Sequence, residues 1–151
     1  MKDLLQNTAL VYGAAAWLCA QIIKVLLLYG REHRVDLREL FSTGGMPSSH
    51  SAFVCAIAMA IGLREGIGSS LFALAVGVAV VVMVDAAGVR RAAGNHAIKL
   101  NHIMDELFQG HPISDEKLRE LLGHTPTQVF LGAVLGLVCT WIGMTWLWRG
   151  S

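Results

Sequence analysis

The sequence predicts an all-α integral membrane protein of about four transmembrane helices, with short cytosolic helices in the loop between the third and the fourth. Three observations carry this expectation. Hydrophobic residues fill 54% of the 151 positions and charged residues only 15%, against about 25% charged in an ordinary soluble domain. Mean hydropathy is +0.55. The apolar residues are gathered into long runs, which favours a bilayer over a large soluble core.

The chain length suits one membrane domain over residues 1–151, with spans near 8–29, 49–63, 69–89 and 127–147 and a polar insert over 90–126. The first run, Thr8 to Tyr29, is rich in Ala and Leu but carries Gln21 and Lys24. Ala14-Ala15-Ala16 imitates a signal-peptide cleavage site, yet Asp3 sits beside Lys2 and the apolar run continues through Val25 to Leu28, so a retained helix is expected. The second run, Ser49 to Leu63, is short. Arg64-Glu65-Gly66 with Gly68 predicts a tight turn into the third run, Ser69 to Val89, which is dense in Val and Ala and holds Asp85 near its end.

The polar insert predicts one helix around Ala97 to Phe108 and another around Ser114 to Leu122, whose Ser114, Asp115 and Glu116 suit a helix N-terminus. The fourth run, Thr127 to Leu147, carries Gly132 and Gly136, a small-xxx-small pair suited to close helix packing and a possible contact in a homo-oligomer. Trp141, Trp146 and Trp148 near its end fit an interfacial anchor.

A formal net charge of +1 supplies no global basic field, so nucleic acid is not an expected partner. Cys19, Cys55 and Cys139 are isolated in apolar runs and lack metal or redox spacing. His96 and His102 do not share a helix face, which argues against a metal pair. No metal or cofactor is expected. His33, His102 and His111 read as solvated loop residues, and Met59, Met83 and Met144 as apolar packing.

Threading four helices through a bilayer puts four helix ends on one face, together with nine of the twelve Lys and Arg residues: Lys24, Arg31, Arg34, Arg38, Arg90, Arg91, Lys99, Lys117 and Arg119. The positive-inside rule places that face in the cytoplasm and both termini outside.

The costly polar residues converge on the same face. Lys24 lies within an apolar helix, where a cation costs a few kcal/mol unless it is paired or snorkels; Arg31 follows seven residues on. Gly44-Gly45-Met46-Pro47-Ser48-Ser49-His50-Ser51 opens the second helix, whose free N–H groups favour an anion. Ser49 also suits an N-cap. Asp85 and Arg90-Arg91 close the third helix, and His124-Thr125-Pro126 leads into the fourth. Two histidines among several cations supply the parts of phosphoryl transfer: charge to neutralise phosphate oxygens, a nucleophile and an acid.

Lys24-x6-Arg31, Pro47-Ser48-Ser49-His50, and Arg90 with a later His resemble the three motifs of the type 2 phosphatidic acid phosphatase superfamily, which also holds bacterial acid phosphatases and vanadium haloperoxidases. The runs Ser42 to Ala52 and Asp85 to Arg91 resemble its divergent membrane branch. The resemblance covers roughly residues 8 to 140. It implies that Lys24, Arg31, Ser49 and Arg90 bind phosphate, with Arg91 as a neighbour, that His50 is the general acid, and that a downstream His forms a phosphohistidine without a metal.

The chain departs from that pattern. Glu32 replaces a usual proline, and Ser48-Ser49 stands where Ser-Gly is usual. Arg90-x5-His96 matches the start of the third motif but lacks its later Asp. His124-x3-Gln128-Val129-x2-Gly132-x3-Gly136 matches it with Gln for Asp, and it enters a membrane helix, so His124 is preferred as nucleophile. Gln128 or Asp85 would orient it. The leading expectation is a phosphatase for a lipid phosphate or pyrophosphate at the cytoplasmic leaflet. A non-catalytic phosphate binder and a small transporter subunit are the alternatives.

Overall fold

The structure, a computed structural model, describes residues 6–32, 45–108 and 123–147. All regular structure among these residues is helical: α1 (Thr8–Glu32), α2 (Ser49–Glu65), α3 (Ser70–Ala87), α4 (Val89–Phe108) and α5 (Pro126–Ile142), which runs on into a π-helical turn, Gly143–Leu147. The helix proposed around Ser114 to Leu122 lies outside the described residues. The chain is a membrane protein. Among the described residues three helices are long and apolar enough to cross a membrane: Thr8–Gly30, Ser70–Met104 and Pro126–Trp146. Their outer faces carry Leu26, Leu74, Val81, Val84 and Phe130, each more than half exposed. Such a belt suits hydrocarbon and would be a liability in water.

Helix α2 is the centre of the bundle, packed against α1, α3 and α5. Its 17 residues rise about 25 Å at 1.5 Å per residue, a little short of a ~30 Å hydrocarbon layer. Ala16 and Ala20 of α1 meet Ala52 and Ala56 of α2 in a fully buried cluster, with Leu135 and Cys139 of α5 packed on it. Small side chains let backbones approach where the lipid supplies no hydrophobic drive of its own. The α1–α2 hairpin is antiparallel, and at its far end the Arg64 guanidinium donates to Thr8 Oγ1 at 2.8 Å. The turn into α3 is as expected: Gly66 has φ +86°, and Ser69 caps α3 by accepting from the Phe72 N–H at 3.2 Å.

The parallel pair α2 and α5 is the tightest contact. Gly132 and Gly136 lie against the carbonyl oxygens of Ser48 and Ala52, where a Cβ on either glycine would overlap that oxygen. One turn on, Thr140 Oγ1 donates to the Ala56 carbonyl at 3.4 Å. The four-residue ladder 132, 136, 140 thus rides on the ladder 48, 52, 56. The glycine pair is used inside the protomer, not on the lateral face suggested as an oligomer contact.

One expected boundary moves. The helix placed from Ala97 begins at Val89, directly after a single turn residue, Gly88, so Arg90 lies in the first turn of α4 and does not close α3. Val89, Leu100, Ile103 and Met104 leave one side of α4 apolar and exposed, and this stripe extends the periodic pattern back past Ala97. Among the described residues α4 packs against α3 alone to any extent.

Candidate active site

The parallel α2–α5 pair brings two helix N-termini together at one end of the bundle. Each end carries about half a positive charge and unsatisfied N–H groups. Ser48, not Ser49, caps α2: its Oγ accepts from the Ser51 N–H at 3.4 Å and from the Ser51 hydroxyl at 3.1 Å. Ser49 is the first helical residue, and Ser48, Ser49 and Ser51 are all buried. The Ser48 N–H donates to the Gln128 carbonyl at 3.0 Å, tying the start of α2 to the first turn of α5.

His50 and His124 meet at this junction. His50 is in the first turn of α2, and His124 immediately precedes the Thr125 cap of α5. Their ring centroids are 6.1 Å apart with planes at 77°. His50 is exposed, whereas His124 is 1% exposed. The approach to the pair is therefore from the His50 side. A separation of this size suits one tetrahedral oxyanion taking a hydrogen bond of ~2.8 Å from each ring.

His124 is held by backbone on both sides. Its N–H donates to the Ala86 carbonyl at 3.2 Å, which binds it to the end of α3 and places Asp85 one residue from the anchor. Thr125 and Gln128 form a reciprocal capping box: the Gln128 N–H donates to Thr125 Oγ1 at 3.3 Å, and the Thr125 N–H donates to Gln128 Oε1 at 2.9 Å. The amide oxygen of Gln128 is thus engaged in capping.

Lys24 is buried, at 6% exposure, and its methylene stem packs on Gly45, where an added Cβ would sit 3.6–3.8 Å from it. Gly45 has φ +86°, a conformation that favours glycine. The lysine of the first sequence motif therefore lies against the loop of the second. Arg31 is in the last turn of α1 and Arg90 in the first turn of α4; their side chains lie outside the description. Arg91 is exposed on α4, and His96 is exposed on the same helix. His33, Arg34, Arg38 and His111 fall outside the described residues. No group of three or more His, Cys, Asp or Glu is placed to hold a metal among the described residues.

Gln21 joins the buried polar residues of α1. Gln21 is 3% exposed and lies three residues before Lys24, on the same buried face of α1. A polar side chain inside a spanning run is the signal that marks it.

Comparison with known proteins finds similarity over nearly the whole chain. The profile described as "Divergent PAP2 family" matches residues 5–139. A curated relative, described as "Uncharacterized membrane protein YuiD" of Bacillus subtilis (strain 168), is 39% identical over 149 residues, covering 91% of this chain and 94% of its own. No solved structure matches the chain.

Proposed function

We propose, from the premise that the chain belongs to the Divergent PAP2 family, that it is a membrane phosphatase hydrolysing a lipid phosphate or pyrophosphate through a phosphohistidine. The observation that carries the reading is the His50–His124 pair, 6.1 Å apart at two converging helix N-termini. Lys24, Arg31, Ser49, Arg90 and Arg91 hold the phosphate oxygens in this scheme, together with the N–H groups at the start of α2.

The steps balance on the two imidazoles. A neutral His124 nitrogen attacks phosphorus as the bond to the leaving oxygen breaks, and His50 gives that oxygen its proton. His50, now neutral, takes a proton from water. The water oxygen attacks the phosphohistidine, the P–N bond breaks, and phosphate leaves with both rings restored. Asp85, close to the His124 anchor, is the better placed of the two proposed orienting groups, because the Gln128 oxygen is engaged by Thr125. The positive-inside count supports a cytoplasmic site.

Purified protein should release phosphate from at least one member of a panel of lipid phosphates, and His50→Ala and His124→Ala should each suppress it. Full activity in both variants would sink the mechanism. A second reading, a non-catalytic lipid-phosphate binder, is favoured by one observation: Gln128 stands where the motif has Asp and is committed to the helix cap. Saturable binding without turnover by any panel member would select it.

A further inference from the structure

Helices α1 and α3 both pack on α2, but they make no comparable contact with each other. The gap between them is a cleft of about 420 Å³ lined by Ala14 and Trp17 of α1, His50, Phe53 and Val54 of α2, and Val82 of α3. Apart from His50 these are apolar or aromatic residues, and the lining is almost wholly apolar. Ala14 and Trp17 of its α1 wall are themselves exposed, so the cleft is open on its α1 side, the side that faces hydrocarbon in a bilayer.

His50 belongs to the cleft and to the histidine pair at once. A chain lying in the cleft would therefore place its polar end at His50, with the buried His124 behind. The cleft meets the histidine pair at His50 alone, so it offers a seat to one chain.

We propose that this cleft seats one alkyl or prenyl chain of the phosphate-bearing substrate, and that Ala14 and Val82 determine how bulky that chain can be. The inference rests on the reading of the site as one for a lipid phosphate. Ala14 is the smallest residue of the α1 wall, and Val82 is the sole contribution of α3. A larger side chain at either position occupies the seat without touching the phosphate groups. A two-chain lipid would place one chain here and leave the other in the bilayer.

The test fills the cleft from opposite walls with Ala14→Phe and, separately, Val82→Phe, each confirmed as monodisperse in detergent. Turnover of a long single-chain alkyl phosphate is compared with that of a butyl phosphate. The expected result is a KM raised about tenfold or more for the long chain, comparable to losing the contacts of two methylenes, with the short-chain kcat/KM unchanged within about twofold. An equal loss on both substrates, or no change on either, overturns the assignment.

A second readout does not depend on turnover. In a Trp141→Phe, Trp146→Phe, Trp148→Phe background, Trp17 is the remaining tryptophan of the four. A dibrominated alkyl phosphate should quench it saturably, unbrominated alkyl phosphate should compete, and Ala14→Phe should abolish the effect. Quenching no greater than that by dibrominated phosphatidylcholine, or unaffected by Ala14→Phe, overturns the chain seat. Saturable quenching in a protein that hydrolyses nothing removes the phosphatase reading and leaves the seat standing.

Discussion

Gly132 lies directly on the carbonyl oxygen of Ser48, the residue that caps the helix carrying His50. One turn earlier in α5, the Gln128 carbonyl accepts the Ser48 N–H. The same ladder that packs α5 on α2 thus sets the distance between the two histidines. A methyl group at residue 132 has nowhere to go, because the obstacle is backbone and not a movable side chain.

Gly132→Ala should therefore push α5 from α2 and separate His50 from His124. The overpacking cost is about 1–3 kcal/mol, read as a lower melting temperature in detergent, and phosphate release should fall further than stability alone explains. Gly77→Ala is the control, since nothing lies within 4 Å of a Cβ there. Equal behaviour of the two variants would show that the ladder does not govern the site.

The two histidines should differ in their dependence on the leaving group. A general acid contributes roughly 10²–10⁴-fold, and less when the leaving oxygen needs no proton. His50→Ala should lose about that much in kcat/KM, which reports the first step, on an alkyl phosphate and markedly less in kcat/KM on a nitrophenyl phosphate. His124→Ala should lose both, since no group remains to form the phosphoenzyme. Rapid-quench trapping of an acid-labile phosphoprotein should succeed with His50→Ala and fail with His124→Ala.

The three helices able to cross a membrane were legible because long apolar runs have few meanings, and Gln128, Gly132 and Gly136 downstream of it favour His124 over His96. The structure pairs His124 with His50 and leaves His96 exposed on α4. The partner of the glycines was not legible. A small-xxx-small pattern says that a backbone approaches, not whose, and here it is α2. Thr125-x2-Gln128 carries the spacing of a capping box as well as the last position of the His-x3 motif, and the helix end takes the side chain. The start of α4 was not legible because Gly88 and two arginines resemble a terminus, whereas one turn residue is all that interrupts the helix.

Gln128 and Asp85 should separate into a structural and a functional role. Gln128→Ala removes half of the capping box, at a cost of about 1 kcal/mol, and should leave kcat within severalfold. Asp85→Asn keeps the shape near the Ala86 anchor and removes the charge. Replacing a carboxylate that orients a catalytic histidine by its amide can cost up to about 10⁴-fold in kcat, so kcat for Asp85→Asn should fall by at least about tenfold with its melting temperature nearly unchanged. The reverse pattern would return the orienting role to Gln128.

Lys24 tests whether the first motif reaches the phosphate or only fills space under the loop. Its stem packs on Gly45 and its residue is 6% exposed, so Lys24→Ala removes both the charge and buried methylenes and confuses the two roles. Lys24→Met keeps most of the stem and loses the ammonium. If the ammonium neutralises a phosphate oxygen, Lys24→Met, which keeps the packing on Gly45, should remain folded and monodisperse while kcat/KM drops on the order of 10²–10³-fold, as for removal of one preorganised donor. Orthovanadate, a trigonal-bipyramidal mimic of the transferring phosphoryl group, should inhibit the wild type and lose affinity in step with that drop. Unchanged vanadate affinity in a stable Lys24→Met protein would place the ammonium outside the anion site and leave Lys24 as a packing residue beneath Gly45.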